Sequence, residues 1–205
     1  MKQKSQEAAL KEVMILQDLS HPHIIKYYHS FIEHDCLYIL MEYAQGGDLH
    51  SLMRKRRSKN KMFSEHQIWR WAYEICLGVR YLHEKSILHR DIKSLNIFLT
   101  KTNRVKIGDL GISKIFSGSV KYQATKIGTP LYLSPEQVKQ KPYDLKVDIW
   151  GIGWWLYHIT RFCPPFNGDN LIVLGNNIIS KVPERLPRVY YSDKLNDFVF
   201  KLLSK

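Results

Sequence analysis

The sequence His-Arg-Asp-Ile-Lys-Ser-Leu-Asn occupies residues 89–96, and Asp-Leu-Gly follows at residues 109–111. Two short apolar runs between them, at 97–99 and 104–107, predict a pair of strands. Because such a pair returns the chain on itself, we expect the second segment to lie beside the first. The polar side chains that would then meet are those of Asp91, Lys93, Asn96 and Asp109.

Helical patterns dominate the chain after residue 47, whereas a helix and two strands precede it. Residues 5–19 place apolar side chains at helical spacing, and the runs 24–31 and 36–41 predict strands. Ser64 and Gln67 form a capping box that opens a longer helix. The helices predicted in the second part span 64–84, 146–160, 170–180 and 193–204, whereas 109–136 shows no clear period.

The composition indicates one domain, or two small lobes, with a packed core. The chain has 205 residues, of which 44% are hydrophobic. Its three cysteines are isolated from one another, so neither a zinc site nor a disulfide framework is indicated, which favours a reducing, intracellular compartment. The start of the chain is charged and polar, and the most apolar stretch, 147–160, is shorter than the ~20 residues of a membrane span. We therefore predict a buried helix there and no membrane partner.

The formal net charge of +12 raises the question of a nucleic-acid partner. The densest basic cluster is Arg54 to Arg57 with Lys59 and Lys61, and no zinc finger, RNP motif or recognition-helix pattern accompanies it. We predict a solvated loop between two helices at this cluster, with an acidic partner or a localisation role as the alternative. No nucleic-acid binding is expected.

Further motifs follow the first two in a fixed order: Gly-Thr-Pro at 128–130, Ser-Pro-Glu at 134–136 and Asp-Ile-Trp-Gly-Ile-Gly at 148–153. Together the five resemble the protein kinase superfamily, whose catalytic loop reads H-R-D-x-K-x-x-N and whose metal-binding motif is D-F-G. The resemblance covers nearly the whole chain. It implies transfer of a phosphoryl group from ATP, with Mg²⁺ or Mn²⁺ bridging the phosphates.

Roles for the polar side chains follow from this resemblance. Asp91 would accept the proton of the substrate hydroxyl, Lys93 would neutralise charge on the transferred group, and Asn96 and Asp109 would hold the metal. Thr129 would hydrogen-bond Asp91 and Lys93. In the ATP site the resemblance implies that Glu12 pairs with an ATP-contacting lysine and that Met41 is the gatekeeper. The backbones of Glu42 and Ala44 would bind adenine. Asp48, which is also predicted to cap a helix, would lie near the ribose.

The same resemblance implies structural and regulatory residues. Arg90 would receive a phosphate on the segment that follows Asp109, and Thr125 is the candidate phosphorylation site. A stack that reports the active state would consist of Leu16, Tyr27, His89 and Leu110. Glu136 and Asp148 would have structural roles, and Glu136 would pair with an arginine expected beyond residue 205.

The substrate class and the subfamily are indicated by shorter signatures. Lys93, two residues after Asp91, and Thr129 before Pro130 resemble serine/threonine kinases. Residues 89–100, Leu110 in place of Phe, and Gly-Thr-Pro-Leu-Tyr-Leu-Ser-Pro-Glu at 128–136 are similar to the NIMA-related kinases. Protein substrates with Ser or Thr hydroxyls are therefore expected. The expected location is the cytoplasm, and the subfamily alone implies association with the cytoskeleton, centrosome or cilium, or a location in the nucleus.

The fold class expected from the resemblance is α+β and bilobal. Residues 1–41 would form a partial N-lobe of helix C and two strands, 42–47 a hinge, and 48–205 a mainly helical C-lobe. Since the family's Gly-rich loop and lysine should lie roughly 20 residues or more before Glu12, residues 1–205 would be a kinase catalytic domain incomplete at both ends. Uncovered apolar surface is then expected.

Two classes of function remain open at this point. The first is an ATP- and magnesium-dependent serine/threonine protein kinase. The second is an inactive fragment or pseudokinase that serves as a binding module on the same fold.

Overall fold

The computed structural model describes residue 13 and residues 16–34, 36–110 and 131–205. In the described part the chain forms, in order, β1 (Tyr27–Glu33), β2 (Cys36–Met41), α1 (Leu49–Arg57), α2 (Glu65–Glu84), β3 (Ile97–Leu99), β4 (Val105–Ile107), α3 (Pro135–Val138), α4 (Lys146–Arg161), α5 (Leu171–Ser180) and α6 (Asp193–Leu202). This confirms the prediction of a mixed fold with two strands before residue 48 and a mainly helical remainder. Val13, Leu16 and Gln17 are helical, and the other residues of the predicted helix lie partly outside the described ranges.

Two antiparallel hairpins hold the strands. β1 pairs with β2 from Tyr27 opposite Met41 to Glu33 opposite Cys36, and β3 pairs with β4. The prediction of a strand from residue 24 is wrong at its start, because residues 23–25 run beside β4 instead. There the Ile25 N–H donates to the Ile107 carbonyl at 2.8 Å, and the Ile107 N–H donates to the His23 carbonyl at 2.9 Å.

The helix α4 lies at the centre of the larger core, as its apolar sequence predicts. Twelve of its 16 residues are buried, among them Trp150, Trp154 and Trp155. Gly151 lies so close to the catalytic-loop segment that a Cβ there would come within 3.0 Å of the Ile92 Cβ. The close approach of helix and loop fixes the position of the segment 89–96 against the core.

The start of α2 differs in detail from the predicted capping box. The Ser64 Oγ accepts from the Gln67 N–H at 3.3 Å, but the Gln67 Oε1 accepts from Arg70 and Asn103 instead of from the Ser64 backbone. A complete capping box is found at α3, between Ser134 and Gln137. Of the two hydrogen bonds of the predicted capping box, only the one from the Gln67 N–H to the Ser64 Oγ is therefore present at α2.

A buried carboxylate on α2 interrupts the apolar face predicted there. Glu74 is 1% exposed; its Oε2 accepts from the Val105 N–H at 2.7 Å, and its Oε1 lies 2.5 Å from the Arg104 Nε. Leu77, predicted on the buried face, is only half-buried. Since Glu74 satisfies a backbone donor of β4, it ties the second hairpin to α2.

The basic cluster was predicted as a loop, and that prediction is wrong for four of its residues. Arg54, Lys55, Arg56 and Arg57 form the last turn of α1. Cations at the C-terminal end of a helix interact favourably with the helix dipole, and Arg and Lys are good helix formers. Only Lys59 and Lys61 lie beyond the helix end.

The segment that joins the two parts, residues 42–47, contains no helix or strand. Gly46 packs against the end of β3, where a Cβ would come within 2.7 Å of the Leu99 carbonyl oxygen, and Gly47 has a φ of +70°. Both positions therefore favour glycine. The Asp48 side chain then accepts from the Ser51 N–H at 2.7 Å, so the predicted cap of α1 is present.

Several large apolar side chains on the first hairpin are exposed. Tyr28, Phe31, Tyr38 and Leu40 each expose between 45% and 58% of their surface, and the rings of Phe31 and Tyr38 stack at 5.0 Å. In the described ranges, no helix combines the length and the apolar character that a bilayer crossing requires.

The half-buried histidine of α4, His158, predicts an acid-sensitive fold. Burial, and after it the charges of His50 and Arg57, lower the pKa of His158 from 6.5 to about 4. The unfolded chain thus binds a proton between these pH values that the folded chain does not, so stability falls as the pH drops from 6.5 towards 4, by about 3 kcal/mol in total.

Urea unfolding at a series of pH values measures this dependence. We expect His158→Leu to reduce the slope of the unfolding free energy between pH 6.5 and 4, whereas His66→Gln, an exposed control on α2, keeps it. An unchanged slope in His158→Leu would contradict the assignment.

Candidate active site

The buried ring of His89 connects the catalytic-loop segment to the end of the second hairpin. Its Nδ1 accepts from the Asp91 N–H at 3.3 Å, so its Nε2 carries the proton and donates to the Gly108 carbonyl at 3.1 Å. Burial lowers the pKa of His89, and the neutral ring suits both bonds. The residue therefore sets the spacing between residues 89–91 and 108–109.

The carboxylate of Asp148, in the first turn of α4, anchors the same segment from below. Its Oδ2 accepts from the His89 N–H at 3.0 Å and its Oδ1 from the Arg90 N–H at 2.7 Å. The Nε2 of His83, on α2, lies 2.7 Å from Oδ2. Asp148 is 1% exposed, so these bonds are made without competition from water.

Three side chains of the predicted site converge directly. The Asp91 Oδ2 lies 2.7 Å from the Lys93 Nζ and 3.1 Å from the Asn96 Nδ2, which also donates to the Asp91 carbonyl at 2.9 Å. The Asp91 side chain is 18% exposed and that of Lys93 22%, so both remain accessible at the surface of the loop. The arrangement orients the Asp91 carboxylate and places a cation directly beside it.

The second hairpin places Asp109 beside Asn96. The Gly108 N–H donates to the Asn96 carbonyl at 2.9 Å, directly beyond the pair of Ile97 with Ile107. Asp109 follows with a φ of +50° and an exposed side chain. The turn of the chain predicted from the sequence is thus formed.

The donor set fits a magnesium ion bound together with phosphates. Because Asn96 donates to Asp91 through its Nδ2, its Oδ1 is left as the end that faces away from Asp91, and Asp109 offers an exposed carboxylate. Mg²⁺ is commonly held by one or two such oxygens plus substrate phosphates. Among residues 13, 16–34, 36–110 and 131–205, no three His, Cys, Asp or Glu side chains form a metal cluster of their own, which this mode of binding does not need.

Arg90 has a strained backbone and a cation–π contact that the sequence did not indicate. Its φ is +63°, and its guanidinium carbon lies 5.9 Å from the ring centroid of Tyr143. Tyr143 lies between α3 and α4, 53 positions further along the chain. A cation over the face of an aromatic ring is attracted by the electrons of the ring, so Tyr143 helps to position the Arg90 side chain.

Tyr132 is a second aromatic residue that sequence reasoning missed. The Lys93 Nζ lies 5.7 Å from the centroid of its ring, and the ring packs at 4.1 Å on that of Trp154. Burial, and after it the charge of Asp91, raise the pKa of Tyr132. The residue therefore links the ammonium of the site to the core of α4.

The residues assigned to the nucleotide lie along the linker. Met41, at the end of β2, is 42% exposed. The Glu42 N–H donates to the Lys26 carbonyl at 2.7 Å, and the Ala44 carbonyl accepts from the Gly47 N–H at 3.0 Å. No hydrogen bond between described residues uses the Glu42 carbonyl or the Ala44 N–H, and these two groups remain for a ligand.

The side chains of Glu42 and Asp48 are held by protein groups. The Glu42 Oε2 accepts from the Lys26 N–H at 3.1 Å and lies 2.7 Å from the Lys106 Nζ, a bridge the sequence did not indicate. Burial acts to raise the pKa of Asp48, but the hydrogen bonds from Ser51 outweigh it and hold the pKa below its usual value. Asp48 is therefore ionised at neutral pH.

Three of the four residues predicted to stack come together. Leu16, Tyr27 and Leu110 belong to one buried cluster with Val13 and Leu82. The fourth residue, His89, donates from its ring to the Gly108 carbonyl, two residues before Leu110. Glu136 is half-buried on α3, and within the described ranges its carboxylate forms no ion pair. The remaining assignments, Glu12, Thr125 and Thr129, lie outside the described residues.

The whole sequence is similar to known protein kinases. Residues 1–205 match the protein kinase domain. The chain is 46% identical to the human serine/threonine-protein kinase Nek5 over 169 residues, 82% of this chain and 24% of that protein. It is 42% identical to a probable serine/threonine-protein kinase nek3 of Dictyostelium discoideum, over 99% of this chain and 18% of that protein. It is 41% identical to the mouse serine/threonine-protein kinase Nek1, over 100% of this chain and 17% of that protein. The chain thus spans about a fifth of the length of the curated relatives it matches.

Proposed function

The chain belongs to the protein kinase family and to its NIMA-related serine/threonine kinases, and on that premise we propose that it transfers the γ-phosphoryl group of ATP to serine and threonine hydroxyls of proteins. The observation that carries the proposal is the convergence of Lys93 and Asn96 on the Asp91 carboxylate. Asp91 accepts the hydroxyl proton as the oxygen attacks, and Lys93 offsets the negative charge of the transferred group.

Asn96 and Asp109 hold the divalent metal that the family uses. A divalent metal held by these two side chains would supply positive charge that offsets the negative charge of the phosphates. The close approach of the two residues across the end of the second hairpin supports this assignment. The Glu42 carbonyl and the Ala44 N–H bind the adenine edge, and the ionised Asp48 accepts from a ribose hydroxyl.

The proposal divides the chain at the linker. Residues 1–41 contribute the part of the cleft that covers the nucleotide, residues 42–47 act as a hinge, and residues 48–205 carry the phosphotransfer groups and the substrate surface. The irregular backbone of 42–47, with its two glycines, supports this division.

A phosphotransfer assay tests the function. Purified protein is incubated with labelled ATP, Mg²⁺ and three peptides that differ only in a central Ser, Thr or Tyr. We expect label on the Ser and Thr peptides and a loss of at least ~100-fold in Asp109→Ala, because a metal ligand is removed. Asp197→Ala, an exposed α6 control, should keep full activity. Nucleotide binding without transfer would instead favour the binding-module alternative.

The contact between Arg90 and Tyr143 supports a regulatory role for Arg90. Phosphate on Thr125 would form a charge-assisted pair with the guanidinium, whose position the contact with the Tyr143 ring helps to set. We expect phosphorylation to raise activity in the protein and in Tyr143→Phe, and the phosphorylated-to-unphosphorylated activity ratio to fall about 3- to 10-fold in Tyr143→Leu.

The same assay, before and after phosphatase treatment, measures that ratio, with Thr125→Ala as the variant that cannot be activated. A Tyr143→Leu protein that is activated as strongly as the Phe variant would rule out the supporting role of the ring.

A further inference from the structure

A concentrated basic surface lies at the end of α1 and is not part of the phosphotransfer site. It consists of five exposed cations: Arg54, Lys55, Arg57, Lys59 and Lys61. A sixth cation, Arg56, packs over the Phe63 ring at 5.1 Å. The six cations lie within residues 54–61, and their charge equals half of the formal net charge of +12. No Asp or Glu occurs between residues 49 and 64. The charge is therefore not balanced by its own segment.

The rest of the described chain does not balance this charge either. None of the five cations of the basic surface forms an ion pair with a carboxylate in the described ranges. The helix dipole stabilises cations only within the last turn and so does not account for Lys59 and Lys61. These cations therefore remain for an external anion.

The basic surface is directly connected to the catalytic loop through α1. In the first turn of this helix the His50 N–H donates to the Ser94 carbonyl at 3.1 Å, between Lys93 and Asn96. From His50 to Arg57 the helix rises by about 10 Å, which three to four residues of extended chain can span. A segment some four or more residues from the phosphorylated hydroxyl can therefore reach the basic surface.

We propose that the basic surface docks an acidic segment of the protein substrates, at a position separate from the phosphoacceptor. This inference rests on the proposed phosphotransfer function and adds to it a substrate feature. Acidic side chains of an extended peptide carry the charge opposite to that of these cations, and each ion pair that forms adds a small increment to binding.

The surroundings of the basic surface disfavour a nucleic acid as its ligand. Leu49 and Met53 bury one face of α1 in the core, and no recognition-helix pattern accompanies the cations on its exposed surface. Phe63, the aromatic residue beside the cluster, is 4% exposed and covered by Arg56, so no ring is offered for base stacking.

The test compares peptides with one Ser acceptor and a block of four Glu that begins five residues before or after it, and a third peptide with Gln in place of Glu. In the protein we expect at least one Glu peptide to have a KM about tenfold below that of the Gln peptide, an advantage that shrinks with added salt. The variant Arg54→Gln/Lys55→Gln/Arg57→Gln should lose this advantage at an unchanged kcat for the Gln peptide. The charge-matched control Lys139→Gln/Lys181→Gln/Lys201→Gln, exposed cations elsewhere, should keep it.

Binding of a fluorescent peptide of eight Glu, followed by anisotropy, gives a readout that does not need phosphotransfer. It therefore separates failure of this inference from failure of the proposed function. Equal KM values for Glu and Gln peptides, an advantage retained in the triple variant, or tighter cluster-dependent binding of duplex DNA or single-stranded RNA than of the Glu peptide would each overturn the inference.

Discussion

Replacement of Asp91 by asparagine is expected to lower kcat for peptide phosphorylation by about two to four orders of magnitude, the range that general-base catalysis contributes. Asparagine has nearly the same shape as aspartate and can still bond to Asn96, but it cannot accept the hydroxyl proton. It also removes the negative partner of Lys93, which lies 2.7 Å away. The loss should therefore appear in kcat more than in nucleotide affinity.

Steady-state kinetics and displacement of a fluorescent nucleotide measure the two quantities for Asp91→Asn. The matched control is Asp197→Asn, an isosteric change at an exposed carboxylate of α6, for which we expect kinetics like those of the unmodified protein. If Asp91→Asn retained more than a tenth of the activity, the role of Asp91 as proton acceptor would be wrong.

The second large effect is expected at Asp148, where alanine should lower the free energy of unfolding by about 3–5 kcal/mol. Its carboxylate accepts from the N–H groups of His89 and Arg90 and from His83, all of which would be left unpaired in a buried site. Since the same bonds hold the catalytic loop on α4, activity should fall with stability.

Denaturant unfolding compares Asp148→Ala with Asp144→Ala, an exposed carboxylate four positions earlier that accepts from the Lys146 N–H at 2.8 Å. The control should cost only about 1 kcal/mol, as loss of a helix-terminal bond does. If Asp148→Ala does not fold, Asp148→Asn, which keeps one acceptor oxygen, should unfold with a smaller loss, about 1–3 kcal/mol. Two variants as stable as the control would contradict the anchoring role.

The sequence predicted those parts of the site that depend on local patterns. The apolar runs around residues 97–99 and 104–107 determine the second hairpin, and the hairpin brings Asn96 and Asp109 together. The apolar stretch of α4 likewise identified the buried helix that carries Asp148. Both inferences use periodicity and polarity over a few residues, which a single sequence contains.

The contacts that the sequence did not predict join residues far apart in the chain. Nothing local marks Tyr143 as the ring beneath Arg90, or Tyr132 as the ring beside Lys93, because an aromatic residue packs on a cation through tertiary geometry alone. Glu74 was missed for a related reason: its partner is the backbone of β4, and a charged residue on an apolar helix face usually faces solvent. The sequence predicts a loop at the basic end of α1 because no apolar residues recur there at helical spacing, although Arg and Lys favour helices.

The run of residues 23–25 beside β4 restricts how the two parts of the chain can move. The linker 42–47 is one crossing between them, and the hydrogen bonds of Ile25 and His23 to Ile107 form a second crossing. When the two parts of the chain move relative to each other, the residues next to Ile24 should therefore travel with the helical part rather than with the first hairpin.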